Sequence, residues 1–133
     1  LAARERGVRV RVLLPGPEID SATVRISSRA TWGSLLRNDV ELHEYQPTMM
    51  HTKMLIVDGA MTSVGSTNFD IRSFRLNDEA SLNIYDAEFA EAMTAIFNKD
   101  LESSKRYTYE AWQHRPWRQK AGEILTRPFK SQL

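Results

Sequence analysis

Residues 51–68 read His-Thr-Lys-Met-Leu-Ile-Val-Asp-Gly-Ala-Met-Thr-Ser-Val-Gly-Ser-Thr-Asn, and this stretch decides the architecture. Residues 51–57 suit a buried strand, Asp58-Gly59 is a dipeptide of tight hairpin turns, and residues 61–64 return as a second strand. Gly65 opens a loop that carries Ser66 and Asn68. Residues two apart on a strand share a face, so the His51 imidazole and the Lys53 ammonium stand side by side, about 6.6 Å apart. Thr52 and Met54 face the other way. A phosphate there meets the charge of Lys53 and hydrogen bonds from Ser66, Asn68 and loop amides. An imidazole nitrogen is then placed to attack phosphorus or to protonate a leaving oxygen. Glu79 is a candidate to accept the other imidazole N–H and fix its tautomer, the orienting role of the third group in a triad. This chemistry calls on no metal.

Working outward, Val8, Val10 and Val12 alternate with Arg9 and Arg11 ahead of Leu13 and Leu14, and Pro15-Gly16-Pro17 ends the run. The pattern predicts an edge strand with its arginines exposed. Asp20 or Ser21 suits the cap of a helix over residues 22–37, whose apolar face of Val24, Ser28, Leu35 and Leu36 is moderate. A short strand follows over 40–45, then the loop Gln46-Pro47-Thr48. Past the hairpin, residues 79–85 alternate as a strand. Asp86 caps a helix over 87–101 with Phe89, Met93, Ile96, Phe97 and Leu101 inward. Interleaved strands and helices make the class α/β, with a mixed β-sheet flanked by helices.

The 133 residues are 41% hydrophobic and 26% charged, the balance of one compact domain able to bury roughly two thirds of its unfolded surface. The net charge of +1 advertises no polyanion partner, so any anion site is local. The absence of cysteine excludes a disulfide framework, a thiolate zinc site, an iron–sulfur centre and a Cys nucleophile. No stretch approaches the ~18 apolar residues of a membrane span, and the N-terminal residues do not form a signal peptide. The opening Leu1-Ala2-Ala3-Arg4-Glu5-Arg6-Gly7 reads as the end of a helix closed by glycine, which leads us to expect that the chain begins inside a larger protein.

Taken together, His51-x-Lys53-x4-Asp58-x6-Gly65-Ser66-x-Asn68 resembles the HKD signature of the phospholipase D superfamily. Glu44-Tyr45-Gln46-Pro47 before it, Arg72-Ser73-Phe74 and Leu76-Asn77-Asp78-Glu79 after it, and Trp112 with Arg115-Pro116 resemble the carboxy-terminal HKD half of bacterial cardiolipin synthases. The resemblance implies one half of a pseudo-twofold, two-domain enzyme in which two histidines meet in one active site. It implies phosphatidyl transfer between two phosphatidylglycerol molecules, giving cardiolipin and glycerol through a phosphohistidine, without a cofactor. His51 then serves as general acid and base. Lys53 and Asn68 hold phosphate with Ser66 and Gly65 in support, and Glu79 orients the histidine. The implied partners are phosphatidylglycerol at an anionic membrane, the bacterial inner membrane, and the amino-terminal HKD half or a second copy of this chain. No nucleic acid is expected. The fragment itself is expected to be soluble, and inactive alone. Thr52 and Asp78 depart from the family pattern, where a small residue and an apolar or aromatic one are common.

Other readings stand beside these. Asp58 belongs to the motif by name, yet an aspartate in an Asp-Gly turn accepts backbone hydrogen bonds and needs no chemistry. His43 and His114 lack catalytic company. Arg72 suits a second phosphate or a structural ion pair. Residues 1–104 read as the catalytic half-domain and 105–133 as a basic aromatic tail, with Tyr107, Tyr109, Trp112, Trp117 and Phe129 among seven basic residues. That tail suits either a membrane interface or packing on the domain. Alternative functions are a phospholipase D-type hydrolase or one-motif nuclease acting as a homodimer, and a domain that binds lipid or a partner without turnover.

Overall fold

A computed structural model describes residues 1–19, 22–66, 79–117 and 119–120. The chain divides into two compact units, Leu1–Met50 with Ser103–Leu133, and His51–Glu102. The expected helix cap at Asp20 or Ser21, together with Asn68, Arg72 and Asp78, lies outside the described residues.

The first unit holds α1 (Ala2–Glu5), β1 (Arg11–Pro15), α2 (Ala22–Arg37), β2 (Glu41–Tyr45), β6 (Ser104–Tyr107) and α4 (Tyr109–Gln113). Its sheet runs β1-β2-β6, with β1 parallel and β6 antiparallel to β2. The β1–β2 crossover is α2, as a parallel pair requires. The helix ends at Asn38-Asp39, where Asp39 takes a left-handed φ of 57°.

Alternation along β2 turns Leu42 and Glu44 inward, onto a core of Trp32, Leu36 and Val40. Trp32, absent from the sequence-based apolar face, contributes its largest side chain. Glu44, 2% exposed, receives Nε and Nη2 of Arg25 at 3.2 and 3.3 Å and Nη2 of Arg29 at 2.7 and 2.8 Å. Arg25 and Arg29 are four residues apart on one face of α2, so a single carboxylate meets both.

The segment marked by its change in composition starts inside this sheet. Leu42 pairs with Tyr107, whose ring meets Trp32 edge-on at 5.1 Å. The Trp112 indole N–H donates to the Arg29 carbonyl at 2.8 Å. These tail aromatics therefore pack on the domain, whereas Trp117 is 72% exposed.

The second unit holds β3 (Lys53–Val57), β4 (Met61–Gly65), β5 (Ser81–Ile84) and α3 (Ala87–Glu102). It is an antiparallel meander in the order β3-β4-β5. Asp58 and Gly59, with φ of 49° and 64°, form the tight turn expected between β3 and β4, since positive φ at both positions matches the twist of the strands. Asp86 caps α3, its Oδ1 accepting the Phe89 N–H at 2.7 Å.

The helix packs on β3 and β4 through fully buried Ala90, with Phe89, Met93, Phe97 and Leu101 half-buried. Ile96, expected in this core, is 50% exposed. At 100° per residue it lies about 120° around the helix from Ala90, off the packed face.

Candidate functional site

The second unit brings most of the expected site residues to one end of its sheet. In the antiparallel register Lys53 lies opposite Gly65, and Gly65 opposite Ser81. Both β3 and β5 start at this end and β4 finishes there. His51, two residues before Lys53, Ser66, one after Gly65, and Glu79, two before Ser81, therefore gather along one edge. The three strand ends span about 10 Å. Asp58 sits in the turn at the opposite end, roughly 15 Å from Lys53 along the hairpin. The fold does not bring it to the other members of its motif. Asn68 is not among the described residues.

His51 is exposed and lies just before β3 rather than within it, so the strand begins two residues later than its composition suggests. The side-by-side arrangement holds nonetheless. Lys53 Nζ stands 2.6 Å from His51 Nδ1, 3.0 Å from Nε2 and 2.8 Å from the His51 carbonyl oxygen. An ammonium only donates, so the nitrogen it bonds must present a lone pair, and in a neutral imidazole one nitrogen does so. Two of its three protons thus point at acceptors an incoming phosphate can replace, the lone-pair nitrogen of the ring and the His51 carbonyl oxygen. Phosphate oxygens would take the donors and free the ring nitrogen for proton transfer.

Gly65 and Ser66 build the wall of this edge. A Cβ on Gly65 would lie 2.2 Å from the Ala80 carbonyl oxygen and 2.7 Å from Ser81 Cα. The space made by this glycine is thus filled by the chain's own backbone. Ser66 continues the pairing by one step: its N–H donates to the Ala80 carbonyl at 3.0 Å, and its Oγ accepts the Ala80 N–H at 3.2 Å. The hydroxyl can still donate while accepting from Ala80. Glu79, half-buried, leads directly into β5. Sequence reasoning missed Ala80, whose two backbone groups hold Ser66 in place, because no side-chain signal marks it.

The other two histidines stand apart. His43, in β2 of the first unit, is half-buried, and among the described residues neither of its ring nitrogens has a hydrogen-bond partner. Burial, then the charge of Arg106, depresses its pKa below 6.5; Glu41 pulls the other way, and Arg11 adds the least of the lowering effects. His114 is exposed, with Nδ1 3.0 Å from the Glu110 carbonyl oxygen. Among the described residues no helix is long and apolar enough to cross a membrane.

Comparisons with known proteins bear on the family and the fold. The family model described as cardiolipin synthase, PLD-like domain matches residues 1–101. The chain is 35% identical over 132 residues to a probable cardiolipin synthase, YwiE, of Bacillus subtilis (strain 168), covering 99% of this chain and 26% of that protein. It is 36% identical over 110 residues to the major cardiolipin synthase ClsA of the same strain, covering 83% of this chain and 23% of that one. It thus spans about a quarter of the length of these relatives. Among solved structures, a phospholipase D family member, Nuc, from Salmonella typhimurium superimposes with a TM-score of 0.71 at 22% identity. The match covers 80% of this chain and 69% of that one, and it establishes a shared fold.

Proposed function

Since the chain belongs to the cardiolipin synthase family with its phospholipase D-like domain, we propose that it is the carboxy-terminal catalytic half of a membrane-associated cardiolipin synthase. In this reading residues 1–104 form one half of a two-histidine site, and 105–133 are the basic, aromatic segment that follows. The other histidine comes from an amino-terminal half of the same protein or from a second copy of the chain. The observation that carries the reading is the Lys53 ammonium held against the His51 imidazole, 2.6 Å from Nδ1, at an open sheet edge walled by Gly65 and Ser66.

The transfer runs in two displacements. The partner histidine attacks the phosphorus of one phosphatidylglycerol, so that a P–N bond forms and the P–O bond to the terminal glycerol breaks. His51 gives its proton to the departing glycerol oxygen. The headgroup hydroxyl of a second phosphatidylglycerol then surrenders its proton to His51 and attacks phosphorus, the P–N bond breaks, and cardiolipin leaves. Lys53, Ser66 and Asn68 neutralise and hold the phosphate oxygens, and Glu79 keeps the imidazole oriented. Asp58 takes no part in the chemistry and supports the hairpin turn. No step passes through a metal or a cofactor.

The test supplies the whole protein that contains this segment with phosphatidylglycerol vesicles. Cardiolipin and glycerol are expected in equal amounts, and His51→Ala is expected to lower the rate about 10²- to 10⁴-fold, the usual worth of a general acid and base. The His51 side chain is exposed, so the thermal midpoint stays unchanged. Phosphatidic acid as sole product would replace transfer by hydrolysis, and full turnover by the variant would remove His51 from the chemistry.

A further inference from the structure

Resting on that reading, we propose that Leu55 and Val57 form a track for the acyl-glycerol part of the phospholipid whose phosphate sits at Lys53. The alternation of β3 puts Lys53, Leu55 and Val57 on one face, at steps of about 6.6 Å. Leu55 is 44% exposed and Val57 39% exposed on that face, whereas Met54, Ile56, Thr62 and Val64 of the opposite face are sheltered on the side where α3 packs. Along β3 this face is therefore apolar where a solvated strand would carry polar side chains, while Ser63, Ser81 and Asn83 share the face on the neighbouring strands and Leu82, 63% exposed, lies on the other face.

What lies beside the track indicates its occupant. Leu55 pairs across to Ser63, and Ser63 to Asn83, so a hydroxyl and an amide stand level with the first apolar step. Val57 pairs with Met61, and the second step is apolar on both strands. Moving away from the phosphate position, a ligand thus meets one cation, then apolar surface flanked by hydrogen-bonding groups, then apolar surface alone. A polyanion such as a nucleic acid backbone would want further cations at each step, and among the described residues there are none on this face below Lys53. A free phosphate or a glycerol headgroup would gain nothing from Leu55. A phosphodiester followed by ester linkages and then hydrocarbon matches the series, with the ester carbonyls level with Ser63 and Asn83.

The experiment compares two substrates on the whole protein: dioleoyl phosphatidylglycerol in vesicles and water-soluble dibutyryl phosphatidylglycerol below its micelle concentration. The readout is the ratio of long-chain to short-chain turnover per unit enzyme. Leu55→Ser is expected to lower this ratio about tenfold, the equivalent of roughly half of a leucine's burial energy. The nearly isosteric Val57→Thr is expected to lower it about threefold while preserving shape, and it decides the matter if Leu55→Ser does not fold. Leu55→Met, which keeps an apolar surface, should hold the ratio near the parent value. An unchanged ratio, or equal losses on both substrates with a lowered thermal midpoint, overturns the proposal and assigns the strip to packing against protein. The reading beneath it is tested separately, because His51→Ala must lower turnover of both substrates alike, by the factor given above, whatever the track does.

Discussion

The two sheets among the described residues are of equal size, three strands each, and are held together differently. In the first, Leu42 is fully buried, Trp32, Leu36 and Val40 close around it, and even the carboxylate of Glu44 is sealed with Arg25 and Arg29. In the second, one face rests on α3, and the other exposes Leu55 and Val57. Thr62, fully buried in this sheet, has no hydrogen-bond partner for its hydroxyl among the described residues, a small further cost. The first sheet concentrates the buried contacts that favour folding, and the second places its polar groups at an open edge. Sites that must bind and release substrate are built from the less buried end of a structure. Substitutions in the first unit should therefore register in stability, and those at the edge of the second in turnover.

The largest expected effect on stability comes from Glu44→Ala. It leaves two guanidinium groups without their buried counter-charge, and Arg29 is already tied down between the Trp32 and Tyr107 rings, 5.5 and 5.3 Å from their centroids. Removing one member of a buried ion pair costs about 3–5 kcal/mol. Urea denaturation of the purified protein should show a loss of that size. A change under about 1 kcal/mol would mean that this cluster is wetter than its burial implies, and the contrast between the sheets would weaken.

Gly65→Ala tests the other side of the contrast. The added methyl meets backbone of the neighbouring strand rather than a flexible side-chain end, so the start of β5 must move. Overpacking of this kind costs about 1–3 kcal/mol. Because Ala80 also anchors Ser66 and follows Glu79, we expect turnover to fall more than the folded fraction does at the assay temperature. Measuring activity alongside a denaturation curve separates the two. If turnover only tracks the folded fraction, the edge tolerates displacement and its geometry is not what limits the reaction.

How much of this was legible from sequence depends on whether the cause was local. The α2 span, the Asp58-Gly59 turn and the Asp86 cap each depend on residues within a few positions of one another, and each is found where the sequence indicates. The pairing of His51 with Lys53 also followed from their spacing, although the strand starts later than expected. The Glu44 cluster joins positions 15 to 19 apart, and the Trp112 indole reaches a carbonyl 83 residues away, so neither leaves a periodic trace. Ile96 was misplaced because its apolar character says nothing about which arc of α3 the sheet covers. Glu79 illustrates the middle case: its place at the sheet end is set by the β4–β5 register, which only the fold supplies.

The smallest effect we expect belongs to His43, and it sharpens the contrast by pH. Its pKa in the folded chain lies below the ordinary 6.5, chiefly through burial and secondarily through Arg106 and Arg11. Above about pH 7.5 the ring is neutral in both the folded and unfolded states and contributes no slope. As pH falls through 6.5, the unfolded chain takes up a proton that the folded chain does not, and unfolding is favoured until the lower folded value is passed. Stability should therefore decline on the acid side, with the first sheet as its source. His43→Leu removes the proton uptake together with two buried nitrogens that have no partner among the described residues. Urea midpoints measured between pH 8 and 5 should diverge, the variant gaining on the parent as pH drops. Curves that stay parallel over that range would mean that the ring finds water or a partner when charged, and that the first sheet is less tightly sealed around His43 than around Glu44.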